Sequence, residues 1–268
     1  MNLKLLRLVP FSLALALPSA QAQAVTSEWA GAEGGAVRIV TDGAPDETGT
    51  LRATLEIRLD PGWKTYWRDP GESGIPPMVE IDTPHGAADT DIGFPVPQRH
   101  HDGYSTWVGY DYSVSLALTI TLPPDHGDKL SASVLVGVCD QICIPLAAEL
   151  GLDLADESNA KVERLMVESA FAALPRAAET GFAASLRKAS ADHIVIDADV
   201  PTADAADLFV ASTENWVFGV PEQVASGPSP VFKVPVVLGP KSPASVEPIS
   251  YVLVSGEDAV AGTFEISR

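Results

Sequence analysis

The stretch TLRATLEIRL at residues 50–59 alternates strictly between apolar and polar side chains. Leu51 and Leu55 belong to the apolar set, whereas Arg52 and Glu56 belong to the polar set. A period of two residues is typical of a β-strand with one buried face and one solvated face. An Asp-Pro-Gly turn signal follows directly. The stretch therefore predicts a half-buried strand.

Similar patterns recur along the chain between turns that are rich in proline, glycine and aspartate. Short strands separated by such turns indicate a β-sandwich. Prolines interrupt the later strands, and proline restricts a strand to sheet edges and bulges. Further strands are predicted at residues 34–41, 112–122, 131–138, 144–154, 193–198, 206–211, 215–219, 231–238, 249–254 and 259–266.

One segment between these strands has a helical pattern. Residues 156–174 carry apolar side chains at three- and four-residue steps, and Pro175 follows them, which predicts a helix. Residues 180–189 are expected to add a short helical piece. We therefore predict a mainly β protein with two sandwich domains joined by a short helical segment. The expected boundaries are a signal peptide at 1–24, a first domain at 25–155, a helical connector at 156–190 and a second, smaller β-domain at 191–268.

The first 24 residues have the layout of a secretory signal. Lys4 and Arg7 precede an apolar stretch at residues 8–17, and AQA at residues 22–24 fits a cleavage site. The apolar stretch is shorter than the ~20 residues that cross a bilayer, so export is expected rather than a membrane anchor. After export to an oxidising compartment, two thiols left to themselves would pair.

The charge balance excludes some classes of partner. The formal net charge is -19, and it becomes -21 when the two basic residues of the signal segment are removed. A chain this acidic is not attracted to nucleic acid or to anionic lipid. No later stretch is apolar over the length of a membrane span. Neither nucleic-acid binding nor direct membrane insertion is therefore expected.

Cys139 and Cys143 are the only cysteines, and three interpretations of the pair are open. A structural bridge across so short a loop would stabilise the fold by only ~2 kcal/mol. A closed metal site needs about four ligands, and the five histidines have no spacing that completes a set. No metal is therefore expected. A reversible redox disulfide is the third interpretation.

The alternation of the flanking strands favours the redox interpretation. It places Cys139 on the same face as Ser133, and Cys143 on the same face as Glu149, away from the apolar residues. Both sulfurs are therefore expected to be exposed at a hairpin tip, where a thiolate can attack the bond. We favour Cys143 as the residue that forms a mixed disulfide, because Cys139 ends the longer strand.

Three motifs occur in order along the chain. They are PGWKTYWRDPGESGIPP at 61–77, FPVPQRHHDGYSTWVGYDYSV at 94–114 and LVGVCDQICIP at 135–145. Together they resemble the N-terminal periplasmic domain of DsbD-type thiol:disulfide interchange proteins. The likeness is closer to ScsB-like relatives, which carry W-x-x-Y-W-x-x-P-G-x-S-G and C-x-x-x-C-x-P. It covers residues 28–154 well, and the remainder resembles the second β-domain of those relatives more loosely.

The resemblance implies an immunoglobulin-like sandwich with a redox-active disulfide on a hairpin. It implies a periplasmic protein-disulfide reductase component that relays reducing equivalents to periplasmic dithiol acceptors, with no cofactor. No transmembrane part or thioredoxin-like domain follows in this sequence. The electron donor is therefore expected to be a separate protein, either a CcdA-like membrane protein or a thioredoxin-like protein.

The resemblance also implies which residues line the disulfide. Tyr66 and Asp69 match polar positions of the first motif, where a hydroxyl and a carboxylate could orient a thiol or accept its proton. Burial in the sandwich core is the alternative for aromatic residues in this motif. Asp140, between the cysteines, would raise the pKa of a neighbouring thiol. Pro145 matches the proline of C-x-x-x-C-x-P and is expected to stiffen the hairpin.

The resemblance implies that the second motif forms a cap, which shields the disulfide and moves aside for partners. The predicted cap consists of His100, His101, Asp102, Gly103 and Tyr104. Tyr104 would be the shielding aromatic residue and Gly103 a hinge. The two histidines could bias a nearby thiol toward the thiolate, because histidine titrates near neutral pH. A polar surface loop without a function is the alternative.

Two functions from other classes stay open at this point. The protein could be a non-enzymatic β-sandwich that binds a periplasmic partner and carries only a structural disulfide. It could also handle copper, using the two thiols together with His100 and His101.

Overall fold

The computed structural model of the chain describes the residues from 26 to 267 with short gaps. The described ranges are 26–71, 74–101, 103, 106–155, 161–202, 206–227, 229–240 and 246–267. The predicted signal peptide at 1–24 and two predicted cap residues, Asp102 and Tyr104, lie outside the described residues. No helix in these ranges is long and apolar enough to cross a membrane.

The described chain is mainly β, as predicted. The strands of its first part are β1 (Ala30–Ala32), β2 (Gly35–Thr41), β3 (Thr50–Leu59), β4 (Thr65–Gly71), β5 (Met78–Thr83), β6 (Gly86–Gly93), β7 (Gln98–His101), β8 (Thr106–Tyr110), β9 (Val114–Thr121), β10 (Lys129–Cys139) and β11 (Cys143–Asp153). A single helix follows among the described residues, α1 (Lys161–Ala172). The strands of the second part are β12 (Arg176–Ala177), β13 (Ala183–Ala189), β14 (His193–Asp199), β15 (Ala206–Val210), β16 (Val217–Phe218), β17 (Glu222–Ala225), β18 (Val231–Leu238), β19 (Glu247–Ser255) and β20 (Asp258–Ile266).

Strict alternation locates the strands well. The strand predicted at 50–59 has these bounds as β3, with Leu51 and Leu55 fully buried. The other strands predicted from alternation are also present, with ends that differ by a few residues. The helix predicted at 156–174 corresponds to α1.

The short helix predicted at 180–189 is wrong. Residues Ala183–Ala189 form β13, which pairs antiparallel with β14. Phe182 and Ala184 are buried in the core of the second part, so pairing and burial decide the conformation here. Helix propensity is a weak preference that tertiary contacts override. This piece of the predicted connector therefore belongs to a sheet.

The first part is an immunoglobulin-like β-sandwich. Its largest sheet has the strand order β1-β2-β3-β9-β6-β5-β10-β11. The path doubles back, because β11 at one end contacts β1 and β2 at the other. The apolar faces of its strands enclose one core, to which Leu55, Leu116 and Val136 contribute fully buried side chains. The last two strands of this path, β10 and β11, form the hairpin that carries the cysteines.

A three-stranded sheet with the order β4-β8-β7 lies between this hairpin and the second part of the chain. The backbone of Lys64, just before β4, exchanges two hydrogen bonds of 2.9 Å with the backbone of Cys139. On its other side the sheet contacts the second part, where Arg99 of β7 pairs with Asp207 of β15. We call β4, β8 and β7 the bridging sheet.

The second part folds around a core of its own. One sheet has the order β12-β20-β19-β15, and the other has the order β13-β14-β18-β16, with β17 also paired to β18. Trp216, Phe232 and Ile249 are buried between them. Phe209 and Val252 belong instead to the core of the first part, so the two parts share apolar contacts.

Candidate functional site

The cysteines face each other at the tip of the β10–β11 hairpin and form a disulfide. Pairing runs without a break from Lys129 opposite Asp153 to Cys139 opposite Cys143. Because the backbone ladder already brings the two residues together, we expect the hairpin to keep its shape when the bond is reduced.

The two sulfurs differ in their exposure. Cys143 is exposed, as predicted, but Cys139 is only 1% exposed. The expectation that both sulfurs are exposed is therefore wrong for Cys139. Alternation assigns Cys139 to the face opposite the main core, but the bridging sheet covers the end of that face, where Lys64 pairs with Cys139.

Tyr66 brings a hydroxyl to both sulfurs. Its oxygen lies 2.9 Å from Cys139 Sγ and 3.1 Å from Cys143 Sγ. The side chain is 2% exposed, so little water competes for these hydrogen bonds. A hydroxyl in this position can donate a hydrogen bond to whichever sulfur carries negative charge, and such charge-assisted bonds are the stronger kind.

Two glycines make room for the Tyr66 ring, and a third lets the backbone of β4 approach β8. A Cβ atom on Gly74 would lie 2.7 Å from Tyr66 Cδ1, and one on Gly137 would lie 3.1 Å from Tyr66 Cδ2. A Cβ on Gly109 would overlap the backbone oxygen of Thr65. Interiors are close-packed, so a side chain at Gly74 or Gly137 would press on the tyrosine ring, and one at Gly109 would clash with the β4 backbone. None of these glycines was predicted from the sequence to be a site residue.

Trp107, which sequence reasoning also missed as a site residue, packs beside Tyr66. Their ring centroids are 6.1 Å apart at an interplanar angle of 81°. The ring of His100 stacks on Trp107 at 3.9 Å, and Lys64 Nζ lies 4.4 Å from the centroid of the same indole. His100 and Trp107 are directly opposite in the β7–β8 register, which explains the stack.

The environment of His100 disfavours its charged form. Burial lowers the pKa of His100 below its ordinary value, Lys64 adds to this effect, and Asp111 opposes it. Within the described residues, His100 Nε2 is buried without a hydrogen-bond partner. The histidine of this site is therefore neutral near pH 7.

The lowered pKa of His100 makes stability depend on pH. Below about pH 6.5 the unfolded chain takes up a proton at His100 that the folded chain does not. This contribution to the free energy of unfolding is therefore complete above that pH and is lost as the pH falls below it. We expect the His100→Phe variant, which keeps an aromatic stack on Trp107, to lose less stability on acidification than the wild type. Urea unfolding at about pH 7.5 and 5.5 tests this, and equal losses would contradict it.

Asp69, predicted to lie beside the disulfide, has its carboxylate elsewhere. Its Oδ2 accepts a hydrogen bond of 2.7 Å from the backbone N–H of Ser212 in the second part of the chain. Its Oδ1 accepts a longer one of 3.3 Å from Gly71 N. The pairing of β4 with β8 shifts register between Tyr66 and Gly71. Asp69 lines the same cavity as Trp67 and Phe209. This correction makes Asp69 a contact between the two parts of the chain.

The two remaining hairpin residues are at the surface. Asp140 is exposed, and its N–H donates to Ile142 O across the turn at 3.3 Å. Pro145 lies on β11, the last strand of the sheet, where it is exposed and pairs opposite Gly137 of β10. Proline lacks an N–H donor and suits such an edge strand.

The structure brings one of the described cap residues into the site. His100 stacks on Trp107, whereas His101 is exposed and lies 3.0 Å from the hydroxyl of Thr106. Gly103 has a φ of +89°, a conformation that favours glycine. Among the described residues, no group of three or more His, Cys, Asp or Glu side chains is arranged to hold a metal ion.

Two comparisons relate the chain to known proteins. Residues 38–154 match the sequence family described as "Thiol:disulfide interchange protein DsbD, N-terminal". The crystal structure of the N-terminal periplasmic domain of ScsB from Proteus mirabilis is similar with a TM-score of 0.75 and 20% sequence identity. The match covers 91% of this chain and 98% of that chain, so the shared fold includes both parts. No curated protein sequence matches the chain significantly.

Proposed function

Residues 38–154 form a domain of the DsbD N-terminal, thiol:disulfide interchange family, with an ScsB-like fold, and from this premise we propose that the protein relays reducing equivalents through a reversible Cys139–Cys143 disulfide. One observation carries the proposal. The exposed residue Cys143 is bonded to the buried residue Cys139, and the Tyr66 hydroxyl lies within hydrogen-bond distance of both sulfurs. This arrangement separates the atom that a partner can reach from the atom that leaves.

Reduction begins at the exposed sulfur. A donor thiolate attacks Cys143 Sγ, a donor–Cys143 disulfide forms, and the Cys139–Cys143 bond breaks. The electron pair of the broken bond stays on Cys139 Sγ as a thiolate. The hydroxyl of Tyr66 donates a hydrogen bond to this buried anion, which burial would otherwise disfavour.

The donor's second thiol completes the exchange. As a thiolate it attacks the donor sulfur of the mixed disulfide, and Cys143 leaves as a thiolate. The donor pair is oxidised to a disulfide, the Cys139–Cys143 pair gains two electrons, and two protons convert its thiolates to thiols. The reduced pair then reduces an acceptor disulfide by the same steps in reverse order, with Cys143 as the attacking sulfur.

The family also supports a cellular setting for the relay. We propose that the protein works in the periplasm, consistent with the periplasmic domain to which its fold is similar. A CcdA-like membrane protein or a thioredoxin-like protein would supply the electrons, and periplasmic dithiol proteins in their oxidised, disulfide form would receive them. The exposed Cys143 gives such partners access from solvent.

Equilibration in glutathione buffers tests the redox function. We expect the pair to convert fully between disulfide and dithiol at potentials near those of the periplasm, while the fold is kept. The β10–β11 ladder holds the hairpin in both states, so reduction should lower the free energy of unfolding by at most about 2 kcal/mol. Alkylation followed by mass spectrometry reports the redox state, and urea unfolding reports the stability of each form.

The alternative of a structural disulfide gives the opposite result. A disulfide whose reduction potential lies below about -300 mV would be a structural bridge. A loss of native circular dichroism on reduction would also contradict the relay. Oxidised and reduced samples share one sequence, so the comparison contains no effect of a mutation.

A further inference from the structure

The bridging sheet has two faces that contact different parts of the molecule. Tyr66, Trp107 and His100 come from its three strands and lie on the face toward the disulfide. Trp107 and His100 are opposite each other in register, and the backbone of Tyr66 is opposite Gly109. This face places the aromatic cluster over Cys139.

The other face of the bridging sheet holds the second part of the chain. Trp67, which follows Tyr66 on β4, contacts Phe209 with ring centroids 6.0 Å apart. Arg99, which precedes His100 on β7, contacts Asp207. Because neighbouring residues of a strand point to opposite faces, each of these contacts lies one residue away from a residue of the disulfide cluster.

Arg99 makes the most extensive of these contacts. Its guanidinium donates hydrogen bonds of 3.0 Å to Asp207 Oδ1 and 2.8 Å to Leu208 O. The guanidinium carbon lies 4.7 Å from the centroid of the Phe209 ring. The side chain of Arg99 is only 15% exposed, although that of Asp207 is 42% exposed, so water screens the guanidinium less than it screens a surface arginine.

We propose that Arg99 is a positioning residue for disulfide exchange, and this inference rests on the proposed function. By tying β7 to the second part of the chain, Arg99 holds the His100 ring on Trp107. Trp107 in turn packs against Tyr66, whose hydroxyl reaches both sulfurs. The second part thereby supports the redox site without touching a sulfur.

The structural effect of removing the Arg99 side chain should be limited to its surroundings. Phe209, Ala211 and Val252 are buried in the core of the first part, so apolar contacts still hold the two parts together without the arginine. The freed element is β7, a short edge strand that pairs only with β8 among the described strands. The change therefore reaches the disulfide cluster while the fold is kept.

The experiment measures the second-order rate constant for reduction of the full chain by dithiothreitol. We expect Arg99→Ala to lower it about tenfold, the factor that one weakened hydrogen bond to a charged sulfur accounts for. Arg99→Lys should recover part of the rate, because lysine keeps the charge but not the forked geometry. Arg187→Ala is the matched control. It removes an arginine that pairs with Asp197 on the second part, and should leave the rate unchanged.

A second measurement follows the ring of His100 directly. In the Arg99→Ala variant the ring is less buried, so its NMR titration should move upward toward ordinary histidine. Asp207→Ala removes the carboxylate part of this contact from the partner side, and it is the variant that tests the inference if Arg99→Ala does not fold. An unchanged or faster reduction in both variants, with the His100 titration unmoved, overturns the inference.

The outcome also separates this inference from the proposed function. A wild-type disulfide that dithiothreitol cannot reduce without unfolding would overturn both. A wild-type disulfide that exchanges readily, with equal rates in the Arg99→Ala and Asp207→Ala variants and an unmoved His100 titration, would overturn the positioning role alone.

Discussion

We expect a Cys139→Ala variant to form a mixed disulfide with oxidised glutathione at least about tenfold faster than a Cys143→Ala variant. Each variant keeps one thiol, so the comparison isolates the position of the sulfur. Cys143 is exposed, whereas Cys139 is 1% exposed beneath Tyr66. Attack by a thiolate on an incoming disulfide needs a collinear approach, which solvent exposure permits and burial prevents. Mass spectrometry of the intact protein measures the glutathione adduct over time.

The same pair of variants tests partner capture in the cell. When made in the native host, the Cys139→Ala variant should retain a covalent partner through Cys143, because no second thiol remains to release it. The Cys143→Ala variant should retain little. A double Cys139→Ala, Cys143→Ala variant gives the background. Equal adduct formation by the two single variants would contradict the assignment of Cys143 as the attacking sulfur.

The Tyr66→Phe variant should be reduced by dithiothreitol about tenfold to a hundredfold more slowly than the wild type, since a hydrogen bond to a charged group contributes about 1.5–3 kcal/mol. The substitution keeps the buried ring and removes only the hydroxyl that lies 2.9 Å from Cys139 Sγ. Without it, the thiolate that leaves on Cys139 has lost a donor in a buried environment. Its pKa should rise, and its departure should slow.

Tyr110→Phe is the matched control for this experiment. Tyr110 is also fully buried, and its hydroxyl donates a hydrogen bond of 2.9 Å to Pro95 O, not to sulfur. The loss of the Tyr110 hydroxyl should lower thermal stability about as much as the loss of the Tyr66 hydroxyl, but it should leave the reduction rate unchanged. If both variants slow reduction equally, the effect of Tyr66 would be general destabilisation and not assistance to the leaving sulfur.

Much of the fold could be predicted because it depends on local alternation. The period of two in TLRATLEIRL identifies β3, and similar patterns identify both strands of the cysteine hairpin. The motif that contains Tyr66 also indicates a residue beside the disulfide, and the structure places its hydroxyl there. Alternation failed at β4 and β7, whose short sequences TYWRDPG and QRHH show no period of two. It also failed at β13, which was expected to be helical.

The sequence by itself determined that the two cysteines oppose each other on a hairpin and lie on the face away from the main apolar core. Tertiary structure alone decided that this face is covered at Cys139, and that Asp69 contacts the second part of the chain. The physical reason is the separation along the sequence of the residues that interact. Alternation along a strand can be recognised from consecutive residues, whereas Tyr66 contacts Cys139 from 73 positions away in the sequence. What covers a strand face depends on such distant segments, and no local pattern encodes them.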